Sequence, residues 1–122
     1  MLAISLILAA GVATAALPAE DPALVKQAAR CSLHADLASS TEREPSRRKQ
    51  WIAQKEALVL YASRAGEPKQ VVGWINEFAD EILAAKGKDY RKLVNASSQT
   101  CQRFLKEHGD RVKQVVMQSA AS

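Results

Sequence analysis

Apolar and polar positions alternate with helical spacing along nearly the whole chain. In "PKQVVGWINEFADEILAAK", Val71, Ile75, Phe78, Ile82 and Ala85 recur at steps of four and three, which places them on one face of an α-helix. Val94, Ser97, Cys101, Phe104 and Leu105 mark a similar stripe between Asp89 and His108. Two earlier segments carry thinner stripes: Leu24, Ala28, Cys31, Ala35 and Ala38 from Asp21 to Ala38, and Trp51, Leu58, Ala62 and Ala65 from Ser46 to Ala65. A last short segment, Asp110 to Gln118, brings Val112, Val115 and Val116. β-Branched residues never gather into an alternating run between turn residues, so no strand is expected.

Glycine and proline divide these segments. Gly66, Gly87 and Gly109 each follow a helical pattern and precede a helix-start signal, as expected of glycines that end a helix in the left-handed conformation. Asp21 reads as an N-cap with Pro22 at the first helical position. The third segment opens at Pro68 and runs to about Lys86. Within "SSTEREPSRR", Thr41 and Glu44 have the spacing of a capping box. Gly73, inside the third segment, predicts close approach by another element, because glycine in a helix otherwise only costs stability. The fold class expected is all-α: a small antiparallel four-helix bundle with a short extra C-terminal helix and one disulfide. In such a bundle the first and last long helices are neighbours.

Ahead of the helices, residues 2–10 are apolar apart from Ser5, and Ala13 and Ala15 follow with the spacing a signal peptidase accepts. The run is shorter than the roughly 20 apolar residues a spanning helix needs. Residues 1–16 therefore read as a secretory signal peptide, cut after Ala15 or Ala16, although no Lys or Arg precedes the apolar run. Residues 17–122 form a single helical domain, and the processed chain has no integral membrane segment. Export makes the two cysteines, Cys31 and Cys101, a disulfide pair. Closing so long a loop stabilises a domain by about 4 kcal/mol on the chain-entropy model. The localisation expected is periplasmic or secreted.

The net charge of +4 is unevenly spread: from Lys86 onward eight basic residues face three acidic ones. Such asymmetry steers charged partners. "SRRKQW" sets Arg47, Arg48 and Lys49 ahead of Trp51 at the second helix start, where positive charge opposes the helix dipole. Trp74 lies off the centre of the third stripe. These five residues, Arg47, Arg48, Lys49, Trp51 and Trp74, are the candidate partner-binding residues.

Catalytic equipment is sparse. His34 follows Cys31 by one helical turn, but a bridged cysteine supplies no thiolate nucleophile. His108 reads as a cap at a helix C-terminus. Glu77, Asp80 and Glu81 fall opposite the apolar stripe of their helix, on the solvated side. No C-x-x-C, H-x-x-x-H, glycine-rich phosphate loop or G-x-S-x-G elbow occurs, and the match of "NASS" to a glycosylation sequon falls mid-helix. The function expected is that of an exported bacterial protein that binds a protein partner without catalysis, of the inhibitor, immunity-protein or adaptor type. No cofactor, metal or nucleic-acid partner is expected. A periplasmic chaperone or stress protein is the first alternative, and a small-ligand or metal carrier the second.

Overall fold

The first three described helices begin with an acid followed by proline. The pairs Asp21–Pro22, Glu44–Pro45 and Glu67–Pro68 recur 23 residues apart. They open α1 (Pro22–Thr41), α2 (Pro45–Ala65) and α3 (Pro68–Ala84). Each acid is the N-cap. Asp21 accepts from the Ala23 amide at 3.0 Å, Glu44 from the Ser46 and Arg47 amides at 3.1 and 2.8 Å, and Glu67 from the Gln70 amide at 2.9 Å. The carboxylate satisfies amides the helix leaves unpaired and complements its dipole, while proline gives up an N–H that has no intrahelical partner. The computed structural model describes residues 20–121, so the reading of residues 1–16 as a signal peptide lies outside the described residues.

Two sequence expectations fail at these ends. Thr41 does not cap α2; it is the last residue of α1 and donates back to the Leu37 and Ala38 carbonyls at 3.3 Å. Gly109 does not end a helix. α4 runs unbroken from Lys88 to Ala121, so the extra C-terminal helix is the continuation of α4. Mid-helix glycine costs only about 1 kcal/mol relative to Ala, and Val112 and Val115, buried beyond it, outweigh that. His108 is therefore mid-helix and caps nothing; its ring packs on Phe104 at 5.3 Å between centroids.

The arrangement is an all-helical bundle with α1 at its centre. α1 packs against α2, α3 and α4, whereas α3 touches α2 only slightly; α2 also meets α4. α1 buries Val25, Ala28, Ala29, Cys31, Ser32, His34, Ala35 and Ser39, spread over more than half its circumference. That is wider than the expected stripe, and alanine makes it possible: Ala28, Ala29 and Ala35 are fully buried and let three helices approach one axis. The buried hydroxyls are paired locally, Ser32 to the Ala29 carbonyl at 2.6 Å and Ser39 to that of Asp36 at 2.7 Å. α2 supplies Leu58, Tyr61 and Ala62, and α3 supplies Val71 and Phe78. Ile75 and Trp74 pack on the core as half-buried residues.

The glycines are not equivalent. Among the described residues only Gly87 takes a positive φ, 58°, just before α4. Gly66 is extended, and it is glycine because a Cβ there would meet Val25 Cγ1 at 2.6 Å and Val71 Cγ2 at 2.9 Å. Gly73, expected at a helix crossing, has nothing within 4 Å of its Cβ position. Gly66→Ala is accordingly expected to lower stability by about 1–3 kcal/mol through overpacking. Gly73→Ala should raise it by about 0.5–1 kcal/mol through helix propensity. Denaturant unfolding of the two variants measures both signs.

Candidate functional site

The covalent tie between α1 and α4 organises the residues with chemical potential. Cys31 and Cys101 form a disulfide with Cα atoms 5.5 Å apart, across 70 positions of chain. Both cysteines are almost fully buried, so the Cys31/His34 turn holds no free thiol. His34 is itself 7 % exposed, and burial pushes its pKa below the usual histidine value, favouring the neutral ring. Its ring meets Trp51 edge to face, with centroids 5.9 Å apart. Trp51, one of the candidate binding residues, is half-buried against that ring.

The basic start of α2 divides into parts. Arg48 folds back, donating from Nε to the Glu42 carbonyl at 2.9 Å and from Nη2 to that of Arg43 at 3.3 Å. It closes the loop between α1 and α2. Arg47 lies 3.8 Å from the Glu44 carboxylate in an exposed pair, and the Glu44 cap offsets the repulsion between the positive residues and the helix dipole. Lys49 is exposed on the outer face of α2, on the same side as Ile52, Val59 and Leu60. These three aliphatic side chains are 39 %, 39 % and 43 % exposed. The sequence reading centred on the two tryptophans did not single them out, although their exclusion from the Trp51–Leu58–Ala62 stripe was visible.

On α3 the acidic face is solvated at Glu77 and Asp80, while Glu81 takes the Arg30 guanidinium at 2.7 Å. The same guanidinium lies over the Phe78 ring, 4.3 Å from its centroid. Arg30 and Phe78, with Leu93 and the disulfide, wall a crevice of about 140 Å³ between α1, α3 and α4. Its one charged side chain is already paired, so it presents mainly apolar wall. Among the described residues no group of three or more His, Cys, Asp or Glu side chains is placed to hold a metal ion, and no helix is long and apolar enough to cross a membrane.

A second tie had no sequence signal. Glu20, just ahead of α1, accepts from Arg111 Nε at 3.1 Å on Oε1 and from Nη2 at 3.1 Å on Oε2. The Tyr61 hydroxyl donates to Oε1 at 2.8 Å. One carboxylate thereby joins the start of α1 to α2 and α4. The Arg111 hydrogen bonds, followed by the Tyr61 hydroxyl, hold the Glu20 carboxyl below its ordinary pKa against the opposing effect of burial. Burial and the bond to Glu20 push the Tyr61 phenol up, so it stays protonated. No protein-family model matches the chain, and no curated protein or solved structure matches it either.

A carboxylate whose pKa falls on folding stabilises the fold above its unfolded value, and that share disappears as pH drops through the folded value. Glu20→Gln is expected to unfold at lower denaturant than the native chain at pH 7. The gap should close as pH falls from 4.5, the ordinary value for this group, through the lower folded value, where the native carboxyl becomes protonated. Paired unfolding curves from pH 7 to pH 3 check this.

Proposed function

We propose that the chain is an exported protein that acts by binding a protein partner and has no catalytic activity of its own. The observation that carries this reading is the outer face of α2, where Ile52, Val59 and Leu60 are exposed together with the charged Lys49 and Glu56. Desolvating such aliphatic surface favours association, and a flanking cation adds directional selectivity. The disulfide supports export, since such bonds persist mainly in oxidising compartments. Of the residues first singled out, Lys49 lies on this face, Arg47 is exposed at the helix start beside Glu44, Arg48 and Trp51 serve the loop and the His34 contact, and Trp74 packs on the core. A protein partner thus fits the outer face of α2 better than either tryptophan.

An antiparallel course of α1 and α4 is part of this proposal. Cys31 pairs with Cys101 and Glu20 with Arg111, so as one chain position rises its partner's falls. The three-residue loop between α1 and α2, residues 42–44, supports the same relation for that pair.

The experiment is affinity capture from the exported fraction of the source cells, with the native chain and with Ile52→Glu/Val59→Glu as bait. The native chain is expected to retain one protein at defined stoichiometry, and the variant to lose it while unfolding at an unchanged temperature. Retention of no specific protein by the native chain, or equal retention by both baits, contradicts the reading.

A further inference from the structure

The packing of α1 leaves the polar atoms of His34 without a use. The side chain is 7 % exposed, yet neither ring nitrogen makes a hydrogen bond or ion pair among the described residues. None of their buried side-chain nitrogens or oxygens is sealed away without a partner, so both nitrogens of His34 reach open space. The open space that His34 lines is a crevice of about 200 Å³ between α1 and the first turns of α4. Leu37 and Ala38 on α1, with Tyr90 and Val94 on α4, form its apolar walls. Ser40 and Thr41 also line it, and both hydroxyls donate to α1 carbonyls, Ser40 to that of Asp36 at 3.0 Å and Thr41 to those of Leu37 and Ala38 at 3.3 Å. They therefore offer the crevice oxygen lone pairs and no proton. Among the described residues no charged side chain lines it.

We propose that this crevice binds a small uncharged phenol, with the aromatic ring held among Leu37, Tyr90 and Val94 and the hydroxyl group on His34. An apolar hollow with one convergent polar group is the usual form of a small-molecule site. A polar side chain set in an apolar wall with no partner in the chain costs stability, and a ligand that hydrogen-bonds it recovers that loss. Size sets the first limit on the ligand. A cavity of about 150 Å³ with aliphatic and aromatic walls accommodates benzene, so a single ring with one or two small substituents matches the 200 Å³ here. Charge sets the second, because a carboxylate or ammonium group would leave water for walls that hold no counter-charge. Hydrogen bonding sets the third. Burial lowers the pKa of His34 and favours its neutral ring, which donates from one nitrogen and accepts at the other. A hydroxyl group also does both and can give its proton to His34, Ser40 or Thr41, whereas a ketone or ether only accepts. An aromatic alcohol adds a ring face for Tyr90, a contact worth more than its buried area alone. None of the lining residues belongs to α2, so this site and the outer face of that helix stand or fall separately.

The test titrates the disulfide-bonded chain at neutral pH with para-cresol, toluene and para-toluate, following the histidine ring signals by NMR. Para-cresol is expected to bind saturably and to shift the His34 ring, leaving that of His108, which packs on Phe104, in place. Toluene keeps the apolar contacts but lacks the hydroxyl, and should bind about tenfold more weakly. Para-toluate, which carries a charge, should not saturate. Two variants then address the two halves of the site. Val94→Trp fills the crevice from α4 and should abolish binding of both neutral probes while helical content stays unchanged. His34→Phe keeps an aromatic ring against Trp51 and should bind para-cresol no more tightly than toluene. The selectivity of the native chain among the three probes decides the matter even where a variant does not fold. Absence of saturable para-cresol binding, a His34 signal unmoved at saturation, toluene or para-toluate bound as tightly as para-cresol, or full affinity in folded Val94→Trp overturns the proposal.

Discussion

The bond between Cys31 and Cys101 is the constraint on which the arrangement of α4 depends. α4 has 34 residues, about 50 Å at the usual rise, far longer than the 20-residue α1 that it must pack against. Its buried positions begin at Cys101 and continue through Phe104, Val112 and Val115, while Lys88–Arg103 otherwise offers only half-buried or exposed side chains. The disulfide therefore sits where burial of α4 starts. Ten residues further on, Arg111 grips Glu20. Between those two ties the helix is held; ahead of them Tyr90, Leu93 and Val94 line shallow crevices against α1 without becoming buried.

The same constraint explains the economy of the interior. α1 reaches three neighbours largely through alanine, which packs closely but removes little apolar area from water. Close approach and large hydrophobic gain compete for the same positions, and α1 resolves the competition toward closeness. A chain cross-linked over 70 positions loses much of its unfolded-state entropy, so a thin core suffices. Aliphatic residues are then left over for the surface, and Ile52, Val59, Leu60 and Met117 are there. A small domain with a larger aliphatic core would have fewer such residues at its surface.

Much of this was legible before the structure. Helical periodicity marked the long elements, and the cysteine pair with the apolar N-terminal run pointed to a bridge between the first and last of them. The acid–proline starts were also written in the chain, although only Asp21–Pro22 and the proline at 68 were taken at face value; α2 starts at Pro45 because Glu44 caps more effectively than the Thr41 pattern suggested. Gly109 misled because a glycine's local cost says nothing about the burial of Val112 and Val115 on its far side. Gly73 misled in the opposite sense, since periodicity cannot distinguish a crossing point from open solvent. Glu20 and Tyr61 were invisible for a different reason. Their partners lie 91 and 41 positions away, and no spacing rule relates residues brought together only by the packing of three helices. Ile52, Val59 and Leu60 fall off the buried stripe of α2, while Trp51 and Trp74 are half-buried against His34 and the core.

The central claim is energetic and has one direct measurement. Unfolding free energies from urea titrations are compared for the native chain and for the same chain reduced and refolded under dithiothreitol. The loop-entropy argument predicts that reduction lowers stability by about 4 kcal/mol, with loss of protection against amide exchange first in α4. Equal unfolding midpoints for the two forms, with α4 equally protected in both, would contradict it.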